Sequence, residues 1–467
     1  MATPFPSPPD RDFWTLERVG KALGVSPTGP KQTGGPFGRV WTDTRSVERG
    51  DLFVALAGER FDAHDFLQAA VDAGAAGVVV SRADAAGKVG VPAFVVRDTL
   101  AALGALGRFR REALRTATVV GVVGTNGKTS TKELLRAALG SRLSVHATTG
   151  NLNNLIGVPL TLLACPLDTQ AAVIEMGTNQ PGEVAKLRAI VNPDVTVVTS
   201  IAEEHLEGLG DVQGVLREEM AACQGVPLAV VPAAQPEVVE AARAHARRTV
   251  AAGLGEGDLS ATAWHIDAGG QGHLELDGVQ IRVPLRGVHN LRNAMLALAV
   301  AREAGVPMQD AARGIAGMAP PPMRVHLEQH GAVTVINDAY NANPGSARAA
   351  IELLAHAGAG RQRVAVLGTM LELGPRGPEL HDDVARAALE SGVEIVAGMG
   401  EFSRALSRVA PNDPRVVAAE DVERLWAALS SRLQPDAVIL LKGSRGMRLE
   451  QLLAPITAWA GVAPPVS

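Results

Sequence analysis

The sequence predicts an α/β fold organised in three domains. The chain has 467 residues, and a compact domain usually takes about 100–200 of them. Along most of the chain, short apolar runs typical of buried strands alternate with helical patterns, an order that favours parallel sheets. A proline cluster at Pro320–Pro322 lies close to the second boundary. The predicted domains are residues 1–112, 113–317 and 318–467.

Composition and charge exclude several classes of protein. Hydrophobic residues make up 46% of the chain and charged residues 20%, as in ordinary globular proteins. The net charge of -5 gives no basic footprint for nucleic acid. Cys165 and Cys223 are too few for a disulfide framework or a cysteine metal cluster. The sequence shows neither a signal-peptide pattern nor an apolar run of about 18 residues, so we expect a cytoplasmic protein without a membrane span.

The first predicted domain is a small α/β unit. Its apolar runs predict strands and helices in alternation: strands at Asp51–Leu56, Gly77–Ser81 and Pro92–Val96, and helices near residues 64–73 and 100–115. The segment Asp43–Arg45 forms a polar turn before the first of these strands. An exposed arginine in that turn can hold a diphosphate or a uracil carbonyl. The alternative is a solvated turn without a ligand.

The second predicted domain contains a glycine-rich loop between a strand and a helix. The apolar run Thr118–Val123 predicts a buried strand, and Gly124–Thr129 leads from it into a helix that begins near Thr129. Glycines let the backbone approach a phosphate, and a helix N-terminus points N–H donors at it. In such a loop, Lys128 would contact the β- and γ-phosphates and the Thr129 hydroxyl would bind Mg²⁺. Val122 replaces the first glycine of the full pattern, so an ordinary glycine-rich turn remains the alternative.

Two further residues of this domain are candidate metal ligands. Glu175 follows the predicted strand Ala171–Ile174, and ligand groups of α/β sheets lie at the carboxyl ends of the strands. His205 lies beyond the next predicted strand, Val195–Val198. The alternatives are a structural ion pair for Glu175 and an ordinary surface position for His205.

The end of the second domain carries a predicted β-hairpin and a helix. The hairpin spans Trp264–Leu285, where polar and apolar residues alternate. The helix follows at residues 287–304, and Asn290 and Asn293 share one face of it because they lie three residues apart. Their amides either read the edge of a base or only cap the helix.

The third predicted domain repeats the alternation of strand and helix. Its strands are predicted at Val333–Ile336, Val364–Leu367, Glu394–Ala397 and Val438–Leu441. The first of them ends in the polar segment Asn337–Pro344, again at the edge of the sheet where ligands bind. Nine of the chain's twelve asparagines fall in four short segments, one of which is this one. The alternative is chance clustering, since turns favour asparagine.

Together these segments resemble the Mur ligases, ATP-dependent amide-forming enzymes of peptidoglycan synthesis. The resemblance covers nearly the whole chain, in the order of the family: DTR with GDLFVAL, GTNGKTSTKE, GNLNNLIGVPLTLL, EMG, HLEGLG, HNLRNA, PPMR, NDAYNANPGS, LGTMLELG and LKGSRGM. The ordered set is more specific than any single motif. NDAYNANP is similar to the segment of the members that add a dipeptide, and the D-N-P-R of the diaminopimelate-adding members is absent.

The resemblance implies an N-terminal UDP-binding α/β domain, a central P-loop ATPase domain with a mainly parallel sheet, and a C-terminal Rossmann-like domain that closes over the site. It implies that a monomer joins D-Ala-D-Ala to UDP-MurNAc-tripeptide, using ATP and Mg²⁺ and passing through an acyl phosphate. One alternative is a member of the family that adds a single amino acid. Another, of a different class, is a non-catalytic nucleotide-binding homologue.

The resemblance also implies roles for individual residues. Catalytic roles fall to Lys128, Glu175 and His205. The residues expected to contact ATP are Gly124, Thr125, Asn126, Gly127, Lys128, Thr129, Ser130, Asn290, Asn293, Arg324 and Asp338. The expected metal ligands are Thr129, Glu175 and His205. The residues expected to bind the UDP substrate are Thr44, Arg45, Asn151 and Asn154, and those expected to face the dipeptide are Tyr340, Asn341 and Asn343.

The chain departs from the family at one catalytic position. Related ligases have a lysine about fourteen residues after the histidine, and its carbamylation makes an anionic side chain near the second Mg²⁺. Counting from His205, that position is Glu219, and the surrounding segment contains no lysine. We hypothesise that Glu219 supplies the negative charge directly and is catalytic. The alternative is a solvated acidic face of a helix.

Overall fold

The structure is a computed structural model that describes residues 10, 12–29, 36–58 and 61–461. Over these residues the chain forms four sheets in sequence order: a four-stranded sheet, a seven-stranded sheet, a small three-stranded sheet and a six-stranded sheet. Helices cover the larger sheets, as predicted for an α/β fold of three domains. None of the helices in the described part of the chain is long and apolar enough to cross a bilayer.

The N-terminal sheet is parallel, in the order β1-β2-β3-β4. Its strands are β1 (Val40–Trp41), β2 (Leu52–Val54), β3 (Gly77–Val80) and β4 (Ala93–Val95). The helices of this part are α1 (Leu16–Leu23), α2 (Leu67–Asp72), α3 (Ala83–Ala86) and α4 (Thr99–Ala113). The three predicted strands are confirmed with shorter bounds. The unpredicted β1 has only two residues, too few for an apolar pattern to show.

The central sheet is also parallel and places β5 between β8 and β7, in the order β11-β10-β9-β8-β5-β7-β6. Its strands are β5 (Thr118–Val123), β6 (Val145–Ala147), β7 (Ala171–Glu175), β8 (Val195–Val198), β9 (Leu228–Pro232), β10 (Thr249–Gly253) and β11 (Leu259–Ser260). Val119 and Val123 belong to one apolar cluster, and Val120 and Val122 to another. The sheet is therefore buried on both faces, as parallel sheets usually are.

The helices of the central part cover both faces of this sheet. They are α5 (Lys128–Gly140), α6 (Gly157–Leu163), α7 (Glu183–Val191), α8 (Leu206–Leu209), α9 (Val212–Met220), α10 (Pro236–His245), α11 (Val288–Glu303) and α12 (Met308–Ala316). The predicted helix after the glycine-rich loop begins at Lys128, one residue before the predicted start.

The predicted hairpin is part of a three-stranded antiparallel sheet. Its strands are β12 (Ala263–Ile266), β13 (Gln271–Leu276) and β14 (Val279–Arg286). β13 and β14 form the hairpin across Asp277 and Gly278, which both have positive φ. The prediction of a single hairpin was incomplete, because β12 is mostly exposed and lacks an alternating apolar pattern.

The C-terminal sheet has the order β15-β16-β20-β17-β18-β19. Its strands are β15 (His326–His330), β16 (Val333–Asp338), β17 (Arg363–Gly368), β18 (Ile395–Met399), β19 (Val416–Ala419) and β20 (Val438–Lys442). Its helices are α13 (Pro344–Ala357), α14 (Gly377–Glu390), α15 (Glu401–Val409), α16 (Val422–Ser430) and α17 (Leu453–Trp459). The four predicted strands form its parallel centre. The strands that were not predicted, antiparallel β15 and parallel β19, are the two edges of the sheet. The sequence of β15, HLEQH, is mostly polar, whereas β19 is a short apolar run, VVAA.

Candidate nucleotide and metal site

The glycine-rich loop leaves the middle of the central sheet, and two of its glycines are required by its geometry. Gly124 has a φ of 114° and Gly127 a φ of 89°, in the region that L side chains avoid. A Cβ on Gly124 would lie 2.5 Å from Thr199 Oγ1, and one on Gly127 would lie 2.7 Å from Asn293 Nδ2. The loop is therefore packed against the end of β8 and the start of α11.

Backbone and side-chain hydrogen bonds fix the loop to neighbouring segments. The Thr125 N–H donates to Ser200 O at 2.7 Å, and its hydroxyl accepts from the Ala202 N–H at 3.1 Å. The Asn126 N–H donates to the Ser200 hydroxyl at 3.2 Å. Such a preformed backbone turn at a helix N-terminus suits the binding of a phosphate.

The Lys128 ammonium curls back over the loop. Its Nζ donates to Gly124 O at 2.5 Å and to Thr125 O at 3.1 Å, and lies 3.7 Å from Glu204 Oε2. Burial lowers the pKa of Lys128, but the carboxylates of Glu204, Glu219 and Glu175 outweigh burial and raise it. The side chain therefore keeps a full positive charge beside the helix N-terminus.

Glu175 ends β7 next to the loop, with a buried carboxylate that is only half satisfied. Its Oε1 accepts from Thr129 Oγ1 at 3.3 Å and from Asn153 Nδ2 at 3.0 Å. Its Oε2 is buried without a hydrogen-bond partner among the described residues, and Lys132 Nζ is 4.0 Å away. A free carboxylate oxygen beside a hydroxyl is a donor set that Mg²⁺ prefers, so these residues fit the metal.

The described residues contain no group of three or more His, Cys, Asp or Glu side chains placed to hold a metal. Mg²⁺ does not require such a group, because it usually takes one or two protein ligands and fills its shell with water and substrate phosphates. Asn153 was missed by the sequence analysis, which could not tell which member of the asparagine triplet reaches the carboxylate.

Glu219 and its neighbour Glu218 lie on α9 and are both buried. The Gly124 N–H donates to Glu219 Oε2 at 3.0 Å, while Glu218 accepts from Gly182 and Val184 N–H groups at the start of α7. The alternative of a solvated acidic face is therefore wrong. Burial raises the pKa of Glu219 to about 7, against the opposing attraction of Lys128. Its role in place of a carbamylated lysine stays a hypothesis.

The C-terminal domain meets the loop through asparagines. Asn343 Nδ2 donates to Asn126 Oδ1 at 2.8 Å, and Asn126 Nδ2 donates back to Asn343 Oδ1 at 3.2 Å. Asn343 is also the N-cap of α13 and accepts from the Ser346 N–H. Asn341 Nδ2 donates to Glu204 Oε1 at 3.3 Å. The structure thus brings two predicted dipeptide residues to the edge of the phosphate loop.

The other predicted residues of the C-terminal domain form a connected group beside these asparagines. The Arg324 guanidinium lies over the Tyr340 ring, 4.2 Å from its centroid. Asp338 pairs with Lys442 at 2.7 Å, and Lys442 also donates to Asn341 O at 2.7 Å. Lys442 is almost fully buried and was not predicted. It anchors the polar segment after β16.

Asn290 and Asn293 share a face of α11, as predicted. Asn293 Nδ2 donates to Asn290 Oδ1 at 3.1 Å, and Asn290 Nδ2 donates to Arg286 O at 2.8 Å. Both are buried, and Asn293 lies directly behind Gly127. Burial lowers the pKa of the adjacent His289 to about 4, so this ring is neutral at physiological pH. Contact of the two amides with adenine stays a prediction.

The predicted UDP-side residues lie at two places. Thr44 begins a short 3₁₀ turn, and Arg45 is 87% exposed in its side chain and pairs with Asp43 at 2.7 Å. This turn follows β1 at the carboxyl edge of the N-terminal sheet, where α/β sheets bind ligands. The Asn154 Oδ1 accepts from the N–H of Gly157, the first residue of α6, at 2.8 Å, and Asn151 and Asn154 are both exposed. A substrate role for these four residues stays a prediction.

The fold and the loop place the protein in the class of P-loop proteins. Its glycine-rich turn follows a strand in the middle of a parallel sheet, and an α/β domain lies on either side in the chain. Three family profiles match in order: "Mur ligase family, catalytic domain" at residues 38–111, "Mur ligase middle domain" at 122–301, and "Mur ligase, glutamate ligase domain" at 323–445. The chain therefore belongs to the Mur ligase family, as its motifs predicted.

Relatives and solved structures agree with this assignment. The UDP-N-acetylmuramoyl-tripeptide--D-alanyl-D-alanine ligase of Bacillus subtilis is 34% identical over 422 residues, covering 89% of this chain and 92% of the relative. That of Escherichia coli is 34% identical, with the same coverage. A crystal structure of MurF from Acinetobacter baumannii superposes with a TM-score of 0.87 at 31% identity, covering 98% of this chain and 100% of that one. The crystal structure of MurF ligase from Thermotoga maritima in complex with ADP superposes with a TM-score of 0.80 at 27% identity, covering 91% of this chain and 98% of that one.

Proposed function

We infer that this protein is an ATP-dependent ligase that joins D-alanyl-D-alanine to UDP-N-acetylmuramoyl-tripeptide in peptidoglycan precursor synthesis. The observation that carries the inference is the meeting of the phosphate loop with the segment Asn337–Pro344, through the amide pair of Asn126 and Asn343. The relatives with this activity match the chain over about nine-tenths of its length. The enzyme uses ATP and Mg²⁺.

The residues at the loop suit activation of a carboxylate by ATP. The terminal carboxylate of the tripeptide must approach the γ-phosphate, and two anions repel one another. Lys128 and the N–H groups of the loop offset this repulsion and stabilise the charge of the transferring phosphoryl group. Thr129 and Glu175 would hold Mg²⁺, which supplies further positive charge when bound, and His205 would help to hold a second ion. Transfer of the phosphoryl group gives an acyl phosphate and ADP, and attack by the dipeptide amine then forms the amide bond and releases inorganic phosphate.

The remaining assignments extend the same reaction. Asn290, Asn293, Arg324 and Asp338 would contact ATP together with the loop residues, including Ser130. Thr44, Arg45, Asn151 and Asn154 would bind the UDP substrate, and Tyr340, Asn341 and Asn343 would face the dipeptide. We further propose a cytoplasmic monomer with domains at 1–112, 113–317 and 318–467.

The decisive experiment measures phosphate release from ATP with UDP-MurNAc-tripeptide, with and without D-Ala-D-Ala. Release should need both substrates, and Lys128→Ala should lower the rate at least about 10²-fold because an electrostatic group at the transferring phosphoryl is lost. Lys186→Ala, an exposed lysine of α7, is the matched control and should leave the rate unchanged. Release that responds to one amino acid instead of the dipeptide would move the chain to another activity of the family.

A second experiment tests Glu219. Glu219→Ala should strongly lower phosphate release, and added bicarbonate should not rescue it, because the segment around position 219 contains no lysine to be carbamylated. A Glu219→Ala enzyme with near-normal activity would end the hypothesis that this carboxylate supplies the missing charge.

A further inference from the structure

The segment that carries His205 is interlocked with a segment of the C-terminal domain. The Nδ1 atom of His205 is hydrogen-bonded to the carboxylate of Glu372, which follows β17 in the motif LGTMLELG. The Glu207 N–H donates to Glu372 O at 3.2 Å. A Cβ on Gly374 would lie 3.2 Å from Glu207 Cα, so the two backbones are in close contact.

Both partners of this contact have unusual backbone conformations. His205 has a φ of 52° and Glu372 a φ of 65°, values that only a few per cent of non-glycine residues adopt. Strained conformations persist where the surroundings hold them, and they concentrate at functional sites. Here the strain aims two side chains at each other from parts of the chain that lie 167 residues apart.

The contact decides which nitrogen of His205 is free. A carboxylate accepts hydrogen bonds, so the proton of the ring lies on Nδ1 and the lone pair lies on Nε2. Nε2 faces Glu204, whose Oε1 is 3.8 Å away and whose Oε2 is 3.7 Å from Lys128 Nζ. The free nitrogen therefore points toward the phosphate loop.

We propose that Glu372 is a positioning residue that orients His205 as a metal ligand and completes the second Mg²⁺ site only when the C-terminal domain contacts the central domain. The proposal rests on the proposed function, because it takes His205 as a ligand. A carboxylate on the far nitrogen of a ligating histidine fixes the tautomer and the ring orientation and strengthens the ligand. The residue that completes the metal site thus comes from the domain that also carries the dipeptide-facing segment.

The test measures metal binding rather than turnover. Mn²⁺, used in place of Mg²⁺, is titrated into the full-length protein with a non-hydrolysable ATP analogue, and bound Mn²⁺ is followed by electron paramagnetic resonance. Wild type should bind two ions, and His205→Ala should lose the weaker one. Glu372→Ala should weaken that ion about 10- to 100-fold, while the ion held by Thr129 and Glu175 keeps its affinity.

Glu372→Gln should restore part of the affinity, because its amide oxygen can still accept from the Nδ1–H. Glu379→Ala, an exposed glutamate of α14, is the surface control and should change nothing. Small-angle scattering of each variant with the analogue reports domain closure. If Glu372→Ala loses the second ion while domain closure is unchanged, the result supports the proposal that Glu372 orients His205.

Three results would overturn the proposal: unchanged Mn²⁺ affinity in Glu372→Ala, retention of both ions in His205→Ala, or loss of closure that accounts for the whole effect. Dipeptide-dependent phosphate release by the wild type is measured in parallel. If the wild type shows no dipeptide-dependent phosphate release, the proposed function is refuted. The Mn²⁺ titration tests the role of Glu372 independently of turnover.

Discussion

The central domain is joined to its two neighbours in different ways. Toward the N-terminal domain, α4 packs closely on α6 and α7, and its buried arginines bond to backbone carbonyls and acidic side chains of the adjoining segments. Toward the C-terminal domain, the contacts around the phosphate loop are single polar pairs: Asn126 with Asn343, Glu204 with Asn341, and His205 with Glu372. An apolar cluster also continues into the C-terminal domain.

The first interface depends on small residues and on desolvated charge. A Cβ on Gly107 would lie 2.9 Å from Pro159 Cα, so α4 approaches the central domain at backbone distance. Arg110 is 1% exposed, pairs with Asp10 at 2.6 Å and donates to Cys165 O at 2.7 Å. Burial lowers the pKa of Arg110, and the contact with Asp10 opposes that shift. Arg110 and Asp10 both belong to the N-terminal domain, and they are tied to the central domain by the bond from Arg110 to Cys165 O and by the bond from the Leu167 N–H to Asp10 at 3.0 Å. Separating the two domains would break both bonds together, which favours a fixed arrangement.

The polar pairs of the second interface can exchange their partners for water at little cost. A neutral amide pair contributes about 1 kcal/mol net, because water replaces each bond when the pair opens. The difference teaches that buried arginines and close helix packing hold the N-terminal domain, whereas the polar contacts of the C-terminal domain can open at low cost. In the proposed reaction, closure of the C-terminal domain would shield the acyl phosphate from water.

The largest expected effect is at the first interface. Arg110→Met should lower the free energy of unfolding by about 3 kcal/mol, because Asp10 loses its buried partner. The measurement is urea unfolding followed by tryptophan fluorescence, to which Trp14 contributes close to α4. Arg115→Met, an exposed arginine just after α4, is the control and should change stability by less than about 0.5 kcal/mol. Equal effects of the two substitutions would mean that the buried Arg110 and its bonds to Asp10 and Cys165 O do not contribute to stability.

Two glycines of α4 provide a matched pair. Alanine favours a helix over glycine by about 1 kcal/mol, but Gly107→Ala forces a methyl group against the Pro159 backbone and should destabilise by about 2 kcal/mol. A Cβ on Gly104 would meet only the flexible side chain of Ile190, with Cδ1 at 3.0 Å and Cγ1 at 3.5 Å. Gly104→Ala should be neutral or stabilising. Thermal melting of both variants checks the difference. If the melting temperature shifts in the same direction and by the same amount in both, the close approach of α4 to Pro159 does not determine stability.

At the second interface, Asn343 can be changed in two ways that separate its roles. Asn343→Ala removes the cap of α13 and the amide pair, and should cost about 1 kcal/mol of stability. Asn343→Asp keeps an oxygen for the Ser346 N–H but loses the donor to Asn126. We expect near-normal stability and about a tenfold lower kcat/KM for the dipeptide, the equivalent of one hydrogen bond. A normal kcat/KM in Asn343→Asp would show that the Asn126–Asn343 pair does not contribute to domain closure.

The smallest effect concerns pH. Burial raises the pKa of Glu219 to about 7, above that of the unfolded chain, so the folded metal-free protein binds this proton more tightly. Stability then falls as pH rises through this range, by up to about 1 kcal/mol between pH 6 and 8. Glu219→Gln should flatten this part of the curve in magnesium-free urea titrations. Parallel curves for the variant and the wild type would show that Glu219 does not titrate there.

The sequence by itself determined the elements whose pattern is local. The strand Thr118–Val123 and the glycine-rich turn after it were readable because apolar runs, glycines and the following helix are neighbours in the chain. The four central strands of the C-terminal sheet were predicted for the same reason. The edge strand β15 was missed because its sequence, HLEQH, is mostly polar and shows no apolar run.

Only the tertiary structure decided which polar residues meet. Asn126 and Asn343 are 217 residues apart, and nothing local marks them as partners. Asn153, rather than Asn151 or Asn154, reaches Glu175 because of how the chain turns into α6. The same holds for Glu219, whose burial behind Gly124 follows from the packing of α9. Hydrogen bonds and pKa shifts depend on distance and desolvation in space, and a linear pattern contains neither.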